Sequence, residues 1–81
     1  MNSVFGIPLD MVHPGVWADV VDVCGDSGWI GRMAEIGVRS GSRLRVVNSG
    51  RPCIIEVGSA RFSFRSDDAC QILVRPIEPA Q

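Results

Sequence analysis

Phe62 and Phe64 alternate with Arg61, Ser63 and Arg65, and the same period of two returns, less cleanly, in four other short stretches. Alternation throws successive side chains to opposite faces of a strand, so each stretch can bury one face and leave the other in water. Val16 to Cys24 is the first: Val16, Ala18 and Val20 alternate with Trp17 and Asp19. The phase then slips to Val21 and Val23, as a β-bulge would make it. Leu44 and Val46 alternate with Arg43 and Arg45 in the second. Cys53, Ile55 and Val57 share a face of the third, Ala60 to Arg65 forms the fourth, and Cys70 to Arg75 forms the fifth, stopped by Pro76. Five short strands at close spacing imply a mainly β chain whose small sheet rolls into a barrel and so hides its edges.

The connections carry turn chemistry. His13-Pro14-Gly15 turns the chain before the first strand, Asn48 to Pro52 makes a hairpin loop, and Gly58-Ser59 makes a two-residue one. One helix interrupts the strands, immediately after the first. Asp26-Ser27 offers its N-cap ahead of Gly28 to Ile36, and Trp29, Met33 and Ile36 fall at i, i+4 and i+7 on one face. Gly37 sits where a left-handed residue ends a helix, with Val38 as the apolar contact beyond it. Ser66 to Ala69 reads as a single helical turn capped by Ser66. Residues 1–8 form an apolar extension that drapes over the core or frays, residues 9–75 the barrel, and residues 76–81 a tail.

With 81 residues there is one core and little of it to spare for a deep substrate cavity. Net charge is −1, which gives no general pull toward nucleic acid or anionic lipid. Up to Val38 five acids face Arg32; from Arg39 onward seven arginines face four acids, and there is no lysine anywhere. Guanidinium groups pair bidentately with carboxylates. The two halves therefore either pair internally or leave a basic patch for an acidic partner. Cys24, Cys53 and Cys70 fit no zinc spacing and read as small buried thiols in a reducing compartment. No signal peptide and no membrane-spanning run is visible in the chain.

Catalytic patterns are missing. Gly25, Gly28 and Gly31 are spaced around a helix start, but no lysine follows and no GxGxxG exists. His13, the sole histidine, lies in a proline turn without a serine or cysteine motif to work with. Asp67-Asp68 follows a serine as in a capped turn. Outward Arg43, Arg45, Arg61 and Arg65 admit a nucleic-acid reading, yet Phe62 and Phe64 point inward rather than offering stacking platforms. Trp17 faces outward or sits under the N-terminal segment, and Trp29 packs on the sheet or lines a groove. Trp29, Arg32 and Met33 bring together the residue types enriched at protein interfaces.

An ordered set of motifs resembles the FeoA family: Leu9-x-Met11-Val12-His13-Pro14-Gly15, Val20-Val21-Asp22-Val23, Arg32-Met33-Ala34-Glu35-Ile36-Gly37-Val38-Arg39-Ser40-Gly41, and Phe62-Ser63-Phe64-Arg65 followed by Ala69 and Ile72-Leu73-Val74. Met33 and Ser40 stand where that pattern usually has leucine and proline. The resemblance implies an SH3-like five-stranded barrel with one short helix, found in the bacterial cytoplasm. It implies a non-catalytic accessory or regulatory role in ferrous iron transport, exercised on the cytosolic part of a FeoB-like membrane transporter. Carried over by position, the resemblance nominates Arg32, Met33 and Ile36 beside the helix as partner-binding residues, and Trp29 joins them on its interface-type chemistry. Neither catalytic residues nor metal ligands, cofactor, nucleic-acid partner or membrane insertion are expected. A transition-metal-binding domain that senses iron stays open as an alternative, as do a nucleic-acid-binding barrel and weak self-association.

Overall fold

In the computed structural model, which describes residues 6–77, the alternating stretches pair into one antiparallel sheet of six strands. In chain order these are β1 (Ile7–Pro8), a 3-10 turn (Leu9–Met11), β2 (Trp17–Val23), α1 (Ser27–Glu35), β3 (Arg43–Asn48), β4 (Cys53–Val57), β5 (Ala60–Phe64), α2 (Ser66–Ala69) and β6 (Ile72–Pro76). Across the sheet the order is β1-β6-β2-β3-β4-β5. Strands β2 to β5 follow one another in space as in sequence, and the last strand closes against the first long one.

The strand count exceeds the expectation by one, because Ile7–Pro8 pairs with β6 through Ile7 opposite Val74 and Pro8 opposite Leu73. Two residues cannot show a period, so the sequence gives no sign of this strand. Its place at the edge tolerates a proline, which has no N–H to donate. The helix accordingly follows the second strand instead of the first. The expected extension and tail fall partly on residues 1–5 and 78–81, which lie outside the described residues.

The phase slip in β2 is a bulge: register against β6 shifts between Val20 and Asp22. Val20 and Val23 are buried on either side of it, while Val21, the extra residue, stays half-buried rather than turning inward. A second irregularity separates Val46 from Asn48 in β3. Bulges raise local twist and help a short sheet curl. The buried cluster takes residues from β2 through β6, among them Ala18, Val20, Leu44, Val46, Cys53, Ile55, Phe64, Ile72 and Val74. Laid flat, those five strands would spread them over about 19 Å, so one shared cluster requires the sheet to roll. Leu9 of the 3-10 turn, Val12 just past it, Val38 after α1 and Ala69 of α2 complete it.

Three local expectations change. The last strand begins at Ile72, not Cys70, because α2 runs to Ala69 and Cys70 is its C-cap. Ser66 is not the N-cap of α2: Arg65 is, its carbonyl accepting from the Asp68 and Ala69 N–H groups at 3.0 and 2.8 Å. Of the three thiols only Cys53 is buried; Cys24 lies just past the end of β2 and Cys70 caps α2, both facing solvent.

Candidate functional site

Helix α1 is fixed at both ends. The Asp26 carboxylate accepts from the Trp29 N–H at 2.8 Å, which satisfies one of the orphan donors of the first turn. At the other end Gly37 adopts φ +98°. There the Val38 N–H donates to the Met33 carbonyl at 2.7 Å and the Gly37 N–H to the Ala34 carbonyl at 3.0 Å. This is a Schellman closure, and buried Val38 is its apolar clamp.

Between these caps the helix divides the four nominated residues. Met33 is 6% exposed and belongs to the core, so it supports the helix from below. Trp29 and Ile36 are half-buried and packed against the core. Arg32 is exposed and has no ion pair among the described residues. Trp29, Arg32 and Ile36 are spaced i, i+3 and i+7, which puts them in one strip along a flank of α1. Ile30, 38% exposed, occupies the opposite flank and was not singled out from the sequence. A helical wheel centred on Trp29, Met33 and Ile36 would have shown it as an apolar residue off the buried arc.

The Trp29 ring is held tightly. It meets Phe64 edge to face at 6.1 Å and 76°. A Cβ placed on Gly25 would stand 2.7 Å from its Cδ1, so only glycine lets the indole lie this close to the chain leaving β2. The indole Nε1 is enclosed and has no acceptor among the described residues.

The outer face of the sheet settles much of the charge question in favour of internal pairing. Arg43 donates to Asp19 at 3.0 Å, Arg45 to Glu56 at 2.8 Å and Arg61 to Glu56 at 2.6 Å. The Arg61 hydrogen bond, followed by that of Arg45, holds the Glu56 carboxyl below the usual glutamate range. Trp17 is 50% exposed on this face, opposite Arg45 in the ladder, as its position in the alternation requires. Among the described residues, two of the open clefts bear on this charge pattern. One of about 610 Å³ is lined by Asp19, Val20, Val21, Gly41, Arg43 and Arg75. The other, about 450 Å³, is lined by Arg51, Pro52, Arg65, Ser66 and Asp67.

Neither cleft is lined by a histidine or a cysteine. Burial, with a smaller contribution from the charge of Asp10, pushes the Cys53 thiol up to about 11, which keeps it protonated and inert. Among the described residues no three His, Cys, Asp or Glu side chains converge as metal ligands. No helix there is long and apolar enough to cross a membrane.

Comparison with known proteins places this geometry. The family model for the FeoA domain matches residues 7–76. No curated protein sequence matches the chain at a significant level. Among solved structures, the crystal structure of an iron uptake regulatory protein, FeoA, is 28% identical with a TM-score of 0.80, covering 91% of this chain and 100% of that one. FeoA of Stenotrophomonas maltophilia, a prokaryotic SH3 domain protein solved with zinc, is 24% identical with a TM-score of 0.73, covering 89% and 91%. IdeR of T. acidophilum is 14% identical with a TM-score of 0.83, covering 95% of this chain but 37% of that one. The rolled sheet is thus the SH3-like fold.

Proposed function

We propose that this chain, which belongs to the FeoA domain family, is a small accessory protein of ferrous iron transport that acts in the cytoplasm by docking on the cytosolic part of a membrane Fe(II) transporter. It performs no chemistry of its own in this reading. The docking surface is the Trp29, Arg32 and Ile36 strip on α1, held from beneath by Met33. One observation carries that assignment: an aromatic, an unpaired guanidinium and an aliphatic side chain stand partly open in a row on the helix that the fold caps at both ends. The helix that carries the row is ordered before binding, so little backbone entropy remains to be lost on contact. Aromatic and arginine side chains are also the usual anchors of protein interfaces.

The test is capture of the purified cytosolic domain of the transporter by the immobilised chain. Arg32→Glu should weaken capture about tenfold, as expected when a charge at a desolvated contact is reversed. Ile30→Asp, on the other flank, should leave it unchanged. If Ile30→Asp abolishes capture and Arg32→Glu does not, the docking surface is elsewhere on the helix. If the wild-type chain captures nothing, the transporter-docking role itself fails.

A further inference from the structure

Three arginines of the basic half are committed to Asp19 and Glu56. Arg51 and Arg65 are not, and they differ from the remaining free arginines in lining one cleft together. Arg51 comes from the β3–β4 loop and Arg65 from the turn between β5 and α2, both exposed. Neither lies within ion-pair distance of a carboxylate among the described residues.

The backbone under each is pinned. The Asn48 side chain donates to the Pro52 carbonyl at 2.8 Å, tying the loop across its mouth next to Arg51. The Arg65 carbonyl takes two N–H groups of α2 at 3.0 and 2.8 Å. Both arginines therefore start from fixed backbone positions, and fixing the backbone before contact lowers the cost of binding. Pro52 adds a rigid apolar ring to the lining of the same cleft, and Ser66 a hydroxyl. A planar guanidinium matches the two oxygens of a carboxylate through parallel N–H donors.

We infer that the Arg51–Arg65 cleft is a binding site for carboxylate side chains of an acidic peptide segment of a partner protein. The Arg51 and Arg65 forks grip successive carboxylates, and the methylene stems of those residues lie on Pro52. Asp67 lines the same cleft and opposes any anion there. It therefore biases the ligand toward the arginine wall. This site is separate from the α1 strip and goes beyond the docking role proposed for it.

The test titrates the full chain with a short blocked peptide of alternating glutamate and alanine, read by NMR at the arginine Nε–Hε resonances. The glutamine–alanine peptide is the control. Saturable shifts confined to Arg51 and Arg65, given by the glutamate peptide alone, are expected, and they should diminish as salt is raised. Arg51→Ser/Arg65→Ser should weaken binding about tenfold. The double lysine variant, Arg51→Lys/Arg65→Lys, keeps both charges and should bind several-fold more weakly than wild type. Asp67→Asn should tighten binding, and Arg32→Glu should not change it. Equal binding of the glutamine peptide, shifts spread over Arg43, Arg45 and Arg61, undiminished affinity in either double variant, or weaker binding by Asp67→Asn would each overturn the assignment.

Discussion

Replacing Gly25 by alanine introduces a single methyl group at a place where the structure leaves it no room. Gly25 has φ +123°. A residue with a Cβ held in such a region costs about 1–3 kcal/mol. The added carbon would also stand 2.7 Å from Trp29 Cδ1 and 3.2 Å from Gln71 Oε1. The glutamine can swing away, but the indole is held against Phe64, and overpacking of this kind costs about 1–3 kcal/mol. The two together come to about 2–6 kcal/mol, against a total stability of about 4–12 kcal/mol for a chain of this length. Urea unfolding followed by circular dichroism measures it. With a slope of about 1 kcal/mol per molar, the midpoint should fall by about 2 M or more. The steric share is isolated by repeating the substitution in a Trp29→Val background, where the ring is gone and only the backbone share should remain. A Gly25→Ala chain within about 0.5 kcal/mol of wild type would refute the whole account. An identical cost in both backgrounds would refute the clash with Trp29.

Gly37→Ala should cost about 1–2 kcal/mol, because a left-handed residue acquires a Cβ that also meets Val57 Cγ1 at 3.1 Å. Faster hydrogen exchange of the Val38 amide should accompany the loss, and an unchanged exchange rate would argue against the Schellman closure. Since Arg61 and Arg45 depress the Glu56 pKa, their contribution to stability is present above the unfolded glutamate value and is lost as pH falls through the lower folded one. On the acid side of pH 4.5 the unfolding midpoint of wild type should therefore drop more steeply than that of Glu56→Gln, and parallel pH curves would remove the ion-pair triad as a cause. A thiol reagent at mildly alkaline pH should modify Cys24 and Cys70 in the native protein and reach Cys53 only after denaturant is added; three reactive thiols in the native state would contradict the burial of Cys53.

Strong local signals made most of the fold legible. Phe62 and Phe64 could only alternate with arginine and serine in a strand, the Val20–Val21 slip announced the bulge, and Gly37-Val38 announced the end of α1. The parts that were missed lack such signals. Ile7–Pro8 is too short to have a period, and its pairing depends on β6, some sixty-odd residues later in the chain. Cys24 and Cys70 each sit one residue beyond an element, where alternation no longer decides which way a side chain faces. The site was half legible: spacing placed Trp29, Met33 and Ile36 on a common face, but not which of them the sheet would cover. Partner choice among the arginines was invisible, because it depends on cross-strand register. Arg45 and Arg61 converge on Glu56 only because β3 and β5 flank β4 with all three opposite one another.

The pairing of Ile7 with Val74 also governs how the barrel can be joined to other chains. Because β1 and β6 are neighbours running in opposite directions, the polypeptide arrives at and departs from the sheet along the same border. A linker of a few residues could fuse Ile7 to the far side of β6 while new ends are opened in the β3–β4 loop, and every ladder of the sheet would survive. A unit whose two ends meet in this way can be set into a longer protein as a self-contained cassette, without its neighbours having to stretch around it.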